Sequence, residues 1–514
     1  MGEPTAFGFK RLAAWLEELG SRETHHPVHY DLEVDLRPAS GRVGVRGTVD
    51  VLSSDRRDTA SVTRAVSATG PAEAPAPPSG APGSTTAAFL LNPDLTLLEA
   101  GDPRDPAPDA DVDIPAPDSR AAALRAAPLD SPVSSTAGTA TLSFAYRGTL
   151  PSSWVSSRTV ELALYNLWYP LFSSRLGPFT FRMLLRVPPE MVPAVNGRLV
   201  PLPPDLLPDE HDDDAPRGYL WESTGPATDI AVCAGPYMVH QETRDGVSVE
   251  IHVLFDDYDL GDMYIDWAGR ILRTLTRWFG PLPGAGPQAL TPPPPETAVS
   301  LLTRQAPIQP PVEPPVGPPA GPPVRLGIVI PPHSNWGGYT RASHIVLPRP
   351  MAVGLRDAGD TQRTALWLAH EMGHLWHGSG VLSDSVNEPW MSEGFAEFAR
   401  LVFTEAEWGE AAYRQGLDEH RDSVRAARAA LPMAAVRWDH PEAHALARLR
   451  GGLMLAELRD LLGDDTLSSV LRGFTGRFTG RVARGGDFVR WASRAAGTDL
   501  TGFFARYLEA APGE

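Results

Sequence analysis

Apolar and polar residues alternate along several stretches of the first 240 residues. The clearest alternation runs through Tyr30, Leu32, Val34, Leu36, Val43, Val45, Val49 and Val51. A period of two predicts strands of an antiparallel sheet that has one face against a core and the other toward solvent. Further strands are predicted at 141–146, 160–164 and 179–187, so residues 24–240 are assigned to a β-rich N-terminal domain.

Three segments of biased composition interrupt this pattern. Those near 67–86 and 101–138 are rich in Ala, Pro and small polar or acidic residues, and they are predicted to be disordered insertions between strands. The segment 281–323 contains long proline runs. It is predicted to be an exposed, polyproline-like insertion in a second domain, residues 241–514. Two other roles remain open for it, a docking site for a proline-binding module and a flap beside a cleft.

Helical periodicity marks the beginning of the chain. Residues 1–23 are assigned to an N-terminal helix whose apolar side is formed by Phe9, Leu12, Ala13, Leu16 and Leu19. We expect this helix to pack on its own domain, with a partner or membrane surface as the alternative. It does not resemble a signal peptide, because charged residues occupy its middle and its end. No apolar run reaches the length of a membrane span.

A helix is also predicted around His370 and His374, from Asp360 as N-cap to Gly378. Residues four apart share one helix face, so the two imidazoles can bind the same metal ion. Glu371 points to the flank and suits a general base for metal-activated water. Gly373 costs helix stability, which predicts that a neighbouring helix approaches closely there.

The third ligand is predicted to be Glu393, separated from His374 by eighteen intervening residues and in the first turns of a helix that begins near Pro389. Two imidazoles and one carboxylate without a thiolate suit a single zinc ion per chain, with a fourth position left for water. Glu397 lies one turn further along. Its carboxylate either fixes the tautomer of His370 or His374, or is a solvated helix residue.

These motifs resemble the gluzincin aminopeptidases, the family of the alanyl aminopeptidases and leukotriene hydrolase. The resemblance is carried by His370 to His374, the eighteen-residue gap and the WMSEGF run at 390–395, with weaker similarity at 30–36, 229–237 and 458–464. It implies an α+β fold, in which an antiparallel β-rich N-terminal domain precedes a thermolysin-like, mainly helical zinc catalytic domain. It also implies Glu371 as base and His370, His374 and Glu393 as ligands. The length of the chain departs from the family pattern, because the chain is predicted to lack the large C-terminal helical domain of many family members.

Two positions depart from the family pattern. Thr340, within Gly337 to Arg341, stands where the family has a glutamate that binds the substrate's amino terminus, and Arg341 would repel an ammonium group. Arg448 stands in the place of the family's catalytic tyrosine. Either Arg448 or the nearby His444 donates hydrogen bonds to an oxyanion, or Arg448 is a surface residue beside an inactive site.

The net charge and the cysteine content limit the predicted location and binding partners of the protein. The net charge of −18 argues against nucleic acid, because binding phosphates requires a basic surface. Cys233 is the only cysteine and therefore has no partner for an intrachain disulfide, which favours a cytoplasmic protein. The predicted partners are a peptide substrate and a protein that binds through the Pro-rich loop or an open cleft.

The sequence thus predicts a zinc-dependent, aminopeptidase-like metallopeptidase in which Glu371 activates water. The alternative is a noncatalytic, peptidase-derived module that keeps zinc structurally and binds protein partners. Hydrolysis of an ester or epoxide is a third reading that rests on the family resemblance only.

Overall fold

The described part of the chain folds into two sheet-containing halves. A computed structural model describes residues 15–17, 19–20, 25–53, 86–98, 124–128, 139–172, 177–206, 215–284, 324–334, 337–427 and 431–511. The N-terminal half contains β1 (His25–Arg37), β2 (Arg42–Ser53), β3 (Thr86–Leu90), β4 (Leu95–Leu97), β5 (Leu124–Pro128), β6 (Thr139–Thr149), β7 (Val160–Leu162), β8 (Thr180–Val187), β9 (Val192–Val195), β10 (Arg198–Val200), β11 (Arg217–Glu222) and β12 (Val232–Gly235).

A seven-stranded sheet in the order β10-β11-β8-β1-β2-β6-β4 forms the body of this half. Its alternating residues lie where the period of two predicts, since Tyr30, Leu32, Val34 and Leu36 are all buried. The sheet differs from the predicted antiparallel one in a single pairing, because β1 and β8 run parallel. The sequence between these two strands is long enough for a crossover, which local alternation does not reveal.

The structure corrects one of the predicted insertions. β5 lies inside the segment 101–138 and pairs with β3 as a separate two-stranded sheet. Phe89 and Leu90 of β3 are fully buried, so β3 belongs to the packed domain. The other residues of the segments 67–86, 101–138 and 281–323 lie outside the described residues, apart from Thr86 and 281–284.

The C-terminal half is built on a five-stranded sheet that other strands and the helices surround. Its strands and helices are β13 (Met238–Arg244), β14 (Val247–Val253), α1 (Leu260–Phe279), β15 (Val324–Val329), β16 (Tyr339–Arg341), β17 (His344–Val346), α2 (Arg349–Ala352), α3 (Thr361–Gly373), β18 (His377–Gly378), β19 (Val381–Ser383), α4 (Trp390–Ala426), a π-helix (His444–Leu449), α5 (Arg450–Leu462), α6 (Asp464–Phe478), β20 (Val482–Ala483), α7 (Gly485–Ala496) and α8 (Thr501–Leu508).

This sheet has the order β13-β14-β15-β17-β16, so β16 is an edge strand. Val249, Ile251 and Ile328 on one face join the large helical core. Val329 and Val346 on the other face pack with residues of the N-terminal half such as Cys233. The five-stranded sheet therefore lies between the helices and the N-terminal half.

The predicted close approach at Gly373 is confirmed. A Cβ atom on Gly373 of α3 would lie 2.8 Å from the Cα of Ala396 and 2.8 Å from the Cβ of Ala399, both on α4. Only a residue without a side chain permits this helix contact. The contact places the start of α4 beside the end of α3.

Only residues 15–17 and 19–20 of the predicted N-terminal helix are described, and two of them test where its apolar side packs. Leu16 and Leu19 are buried against Leu164, Leu167 and Leu171 of the N-terminal half. This is the packing on its own domain that the amphipathic pattern predicts. Among the described residues, no helix has both the length and the apolar character needed to cross a bilayer.

Candidate metal centre

The end of α3 and the start of α4 bring the three predicted ligands together. His370 Nε2 lies 3.3 Å from Glu393 Oε2, and His374 Nε2 lies 3.6 Å from Glu393 Oε1. One potential ligand atom from each of the three residues lies within 4.8 Å of the other two. The helical spacing of four and the close approach at Gly373 produce this convergence.

The donor set fits a zinc ion. Two imidazole nitrogens and one carboxylate oxygen are ordinary zinc ligands, and three protein ligands are typical of a catalytic zinc site that keeps a position for water. Burial raises the pKa of Glu393, but His374, His370 and Arg448 outweigh it and hold that pKa below its usual range. Glu393 is therefore ionised at neutral pH, as a ligand must be.

Behind His370 lies a fully buried carboxylate, Glu397. Its Oε2 is 3.2 Å from His370 Nδ1, an electrostatic contact that is not well aligned as a hydrogen bond. The same carboxylate accepts hydrogen bonds from Arg448 Nε at 2.7 Å and from Arg400 at 2.6 Å, and its Oε1 is 2.7 Å from His420 Nε2. The alternative in which Glu397 is a solvated helix residue is therefore wrong.

The charge of Glu397 determines which nitrogen of His370 carries the proton and which has a lone pair for a metal ion. Burial raises the pKa of Glu397, but Arg448, His370, His420 and Arg400 together lower it well below its usual range. An ionised carboxylate at Nδ1 favours the tautomer with a proton on Nδ1 and a lone pair on Nε2. That lone pair points toward Glu393, where a metal ligand is needed.

His374 is oriented by a second, uncharged environment. Its Nδ1 lies 3.0 Å from Ser392 Oγ and 3.3 Å from the backbone oxygen of His377. Gly378 has a φ of 119°, and a Cβ there would approach Ser392 Oγ to 2.9 Å. A glycine is needed at this turn because a side chain would push Ser392 away from the histidine.

The Glu371 side chain contacts a residue of its own helix and a residue of the edge strand. Its Oε1 accepts a hydrogen bond from Trp367 Nε1 at 3.2 Å. The Thr340 hydroxyl lies 3.0 Å from Oε2 and 2.8 Å from the backbone oxygen of the same residue. Thr340 thus contacts the predicted base directly. The sequence did not indicate this contact.

Arg341 does not present an unpaired positive charge. Its Nε donates to Asp229 Oδ2 at 2.8 Å, its NH1 to the Thr340 carbonyl at 2.8 Å and its NH2 to the Tyr165 hydroxyl at 2.8 Å. The Asp229 side chain is 1% exposed. The expected repulsion of a substrate ammonium group is therefore largely cancelled by a buried counter-charge.

Arg448 and His444 lie on the π-helix that leads into α5. Burial lowers the pKa of Arg448, but Glu397 and Glu393 raise it above its usual value, so the guanidinium stays charged. Its Nε is occupied by Glu397, and the side chain is 24% exposed. Arg448 is therefore anchored in the site and is not a surface residue, whereas His444 is exposed.

Several residues of the site were missed by reasoning from the sequence. Trp367 could have been found, because it precedes Glu371 by four residues on the same helix face. Ser392 adjoins Glu393 but carries no distinctive spacing. His420 and Arg400 reach Glu397 from further along α4, which bends at Gly409 with a φ of 84°, so helical periodicity does not relate His420 to the ligands.

Fold and site together have the arrangement of a gluzincin metal centre, with two candidate ligands from one helix and a carboxylate from the next. Residues 333–507 match the model of the Peptidase family M1 domain. This match confirms the predicted resemblance to the gluzincin aminopeptidases. Zinc is the metal that the family implies, in agreement with the predicted cofactor.

Curated relatives match over limited stretches. Aminopeptidase N of Lactococcus lactis subsp. lactis is 24% identical over 186 residues, which are 34% of this chain and 21% of the relative. The puromycin-sensitive aminopeptidase of Caenorhabditis elegans is 36% identical over 72 residues, 14% of this chain and 7% of the relative. The matches thus span at most about a fifth of the length of these two relatives.

Solved structures match over nearly the whole chain. The M1 zinc metallopeptidase from Deinococcus radiodurans superposes with a TM-score of 0.61 at 16% identity, covering 94% of both chains. A mutant of that metallopeptidase bound to a Tyr-ser-ala substrate gives a TM-score of 0.60 at 16% identity, covering 95% of this chain and 94% of that one. At this identity the likeness establishes the fold, and the predicted α+β class is confirmed.

Proposed function

We propose that this protein is a zinc-dependent, aminopeptidase-like metallopeptidase that hydrolyses peptide bonds. The observation that carries the proposal is the convergence of His370, His374 and Glu393, with Glu371 next to His370 on the same helix. A purely structural metal site has no use for a carboxylate base next to its ligands. The match of residues 333–507 to the Peptidase family M1 domain supports the same reaction.

In this mechanism His370, His374 and Glu393 would hold the ion. When bound, zinc supplies Lewis acidity, which polarises a carbonyl oxygen and lowers the pKa of a water molecule. The carboxylate of Glu371 takes a proton from the attacking water and returns it to the leaving amine. Glu397 holds His370 in the tautomer that directs Nε2 to the ion.

The substrate is proposed to be a peptide that binds in an extended conformation along β16. This strand forms the outer edge of its sheet, so its free backbone groups can pair with a peptide. Thr340 on this strand contacts Glu371, which places the edge next to the base. Because Thr340 has no negative charge, preference for a free amino terminus has to come from other residues.

The proposal is tested by measuring bound zinc and peptide cleavage for the wild type and Glu371→Gln. We expect one zinc ion per chain in both proteins and loss of cleavage by at least about a hundredfold in the variant, the scale of general-base catalysis. Glu410→Gln, on the exposed surface of α4, is the control and should behave as wild type. Wild-type protein that holds zinc but cleaves no peptide would favour the noncatalytic module.

Partners and location complete the proposal. A protein partner at the Pro-rich segment 281–323 stays a prediction, which a pull-down with and without residues 287–323 tests. Nucleic acid is not expected as a partner because of the net charge of −18. A cytoplasmic location is inferred from the single cysteine, Cys233, which is buried and reduced.

A further inference from the structure

The carboxylate of Glu371 is held from two sides by hydrogen-bond donors on different elements. Trp367 Nε1 donates to Oε1 at 3.2 Å from within α3. The Thr340 hydroxyl, which comes from β16, shares its single proton between Oε2 at 3.0 Å and the Glu371 backbone oxygen at 2.8 Å. A glutamate side chain has three rotatable bonds, so contacts at both oxygens restrict it to one orientation.

Both donors are themselves rigid. Thr340 is 5% exposed and β-branched, which restricts its side-chain rotation. Its backbone is held by pairing with Ile345 of β17, and its carbonyl accepts a hydrogen bond from Arg341 NH1 at 2.8 Å. Since Arg341 is also paired with Asp229, the N-terminal half braces the strand that positions Thr340.

Trp367 is confined by the glycine that precedes β16. A Cβ atom on Gly338 would lie 3.1 Å from Trp367 Nε1 and 3.4 Å from Glu371 Oε1. The backbone at Gly338 therefore lies directly over the indole and the carboxylate. This contact leaves the indole N–H little freedom to turn away from Glu371.

We propose that Trp367 and Thr340 are positioning residues that fix the orientation of the Glu371 carboxylate for proton transfer. The inference rests on the proposed function, in which Glu371 is the general base. A base that samples several orientations spends only part of its time in reach of the attacking water, so losing either donor lowers the rate of the chemical step. The proposed pairing of the peptide with β16 uses backbone groups, so replacing the Thr340 or Trp367 side chain leaves substrate binding unaffected.

The variants Trp367→Phe and Thr340→Val remove the donors and retain similar shapes, and Thr340→Ser restores the hydroxyl. We expect kcat to fall about tenfold in Trp367→Phe and in Thr340→Val, with KM unchanged, a loss equivalent to about 1.4 kcal/mol. Thr340→Ser should return kcat to within about twofold of wild type. Zinc content and the midpoint of thermal unfolding, measured for each variant, identify any loss of folding.

Crystal structures of wild type and of the Trp367→Phe/Thr340→Val double variant give a readout independent of activity. We expect one Glu371 rotamer in the wild type and several in the double variant. A single unchanged rotamer in the double variant, or an unchanged kcat in both single variants, would overturn the inference. If zinc-loaded wild type cleaves no peptide, the proposed function fails, whereas the crystal structures still decide whether the two donors orient Glu371.

Discussion

His370 Nδ1 lies 3.2 Å from Glu397 Oε2, and this contact joins the candidate metal centre to a buried cluster of charges. Glu397 is completely buried and also contacts Arg448, Arg400 and His420. A carboxylate in that position both orients the imidazole and increases its basicity. Metal affinity should therefore depend on a residue that does not touch the metal.

Replacing Glu397 with Gln should weaken zinc binding. The amide keeps the shape of the side chain but not the charge, so His370 loses its ionised partner and two arginines lose their counter-charge. We expect zinc affinity to fall about 10- to 100-fold, as for other residues that orient metal ligands. Competition with a chelator measures it, and Glu410→Gln is the exposed control on the same helix. Equal affinities for Glu397→Gln and wild type would show that His370 is oriented by other contacts.

Gly373→Ala should separate the two helices that carry the ligands. The new methyl group would lie 2.8 Å from atoms of Ala396 and Ala399, so α3 and α4 have to move apart. We expect the free energy of unfolding to fall by about 1–3 kcal/mol, the usual cost of overpacking, with weaker zinc binding. Urea unfolding and chelator competition measure the two effects.

The matched control is Gly476→Ala in α6, where a Cβ meets no atom within 4 Å. Alanine should be neutral or stabilise that helix by up to about 1 kcal/mol. The same loss of stability at both sites would contradict the steric explanation.

Acidification should destabilise the protein through buried histidines. His344 on β17 is completely buried, and neither ring nitrogen has a hydrogen-bond partner among the described residues. Burial, together with Arg325, His252 and Arg341, holds the pKa of His344 well below its usual value. The unfolded chain therefore takes up a proton near pH 6.5 while the folded protein does not, so stability is complete above that pH and declines below it.

Each buried histidine with a lowered pKa should decrease the free energy of unfolding by about 1.4 kcal/mol per pH unit below about pH 6.5. Urea unfolding of the metal-free protein at pH 7.5 and 5.5 measures the effect, and His344→Leu should reduce the difference between the two values. His333→Asn, at an exposed position, should leave it unchanged. A wild-type stability that does not vary between these pH values would refute the prediction.

Loss of Arg341 should destabilise the contact between the two halves. Arg341→Met leaves the carboxylate of Asp229 buried without a counter-charge, so we expect a loss of about 3–5 kcal/mol in the free energy of unfolding. The exposed pair Arg198 and Glu222 is the comparison, and Arg198→Met should cost less than about 1 kcal/mol. Chemical unfolding measures both, and similar losses would show that burial does not strengthen the Arg341 pair.

Local sequence accounts for the parts of the site that depend on helical or strand spacing. The spacing of four from His370 to His374 places both on one face, and a glycine at 373 signals a close helix contact. The alternation from Tyr30 to Leu36 likewise identifies a strand that is buried on one side. In each case the residues that decide the outcome are neighbours in the sequence, so their relation follows from backbone geometry.

Only the tertiary structure decided the contacts that join distant segments. Thr340 meets Glu371 because an edge strand crosses the end of α3, and Glu397 is buried because α5, the π-helix and the bend at Gly409 surround it. The parallel pairing of β1 with β8 is likewise a contact between segments that are far apart in the sequence. The sequence by itself determined which side chains can share a metal ion, since that depends on a fixed helical repeat. The surroundings that orient the ligands and the base depend on packing between segments far apart in the chain, which no local repeat encodes.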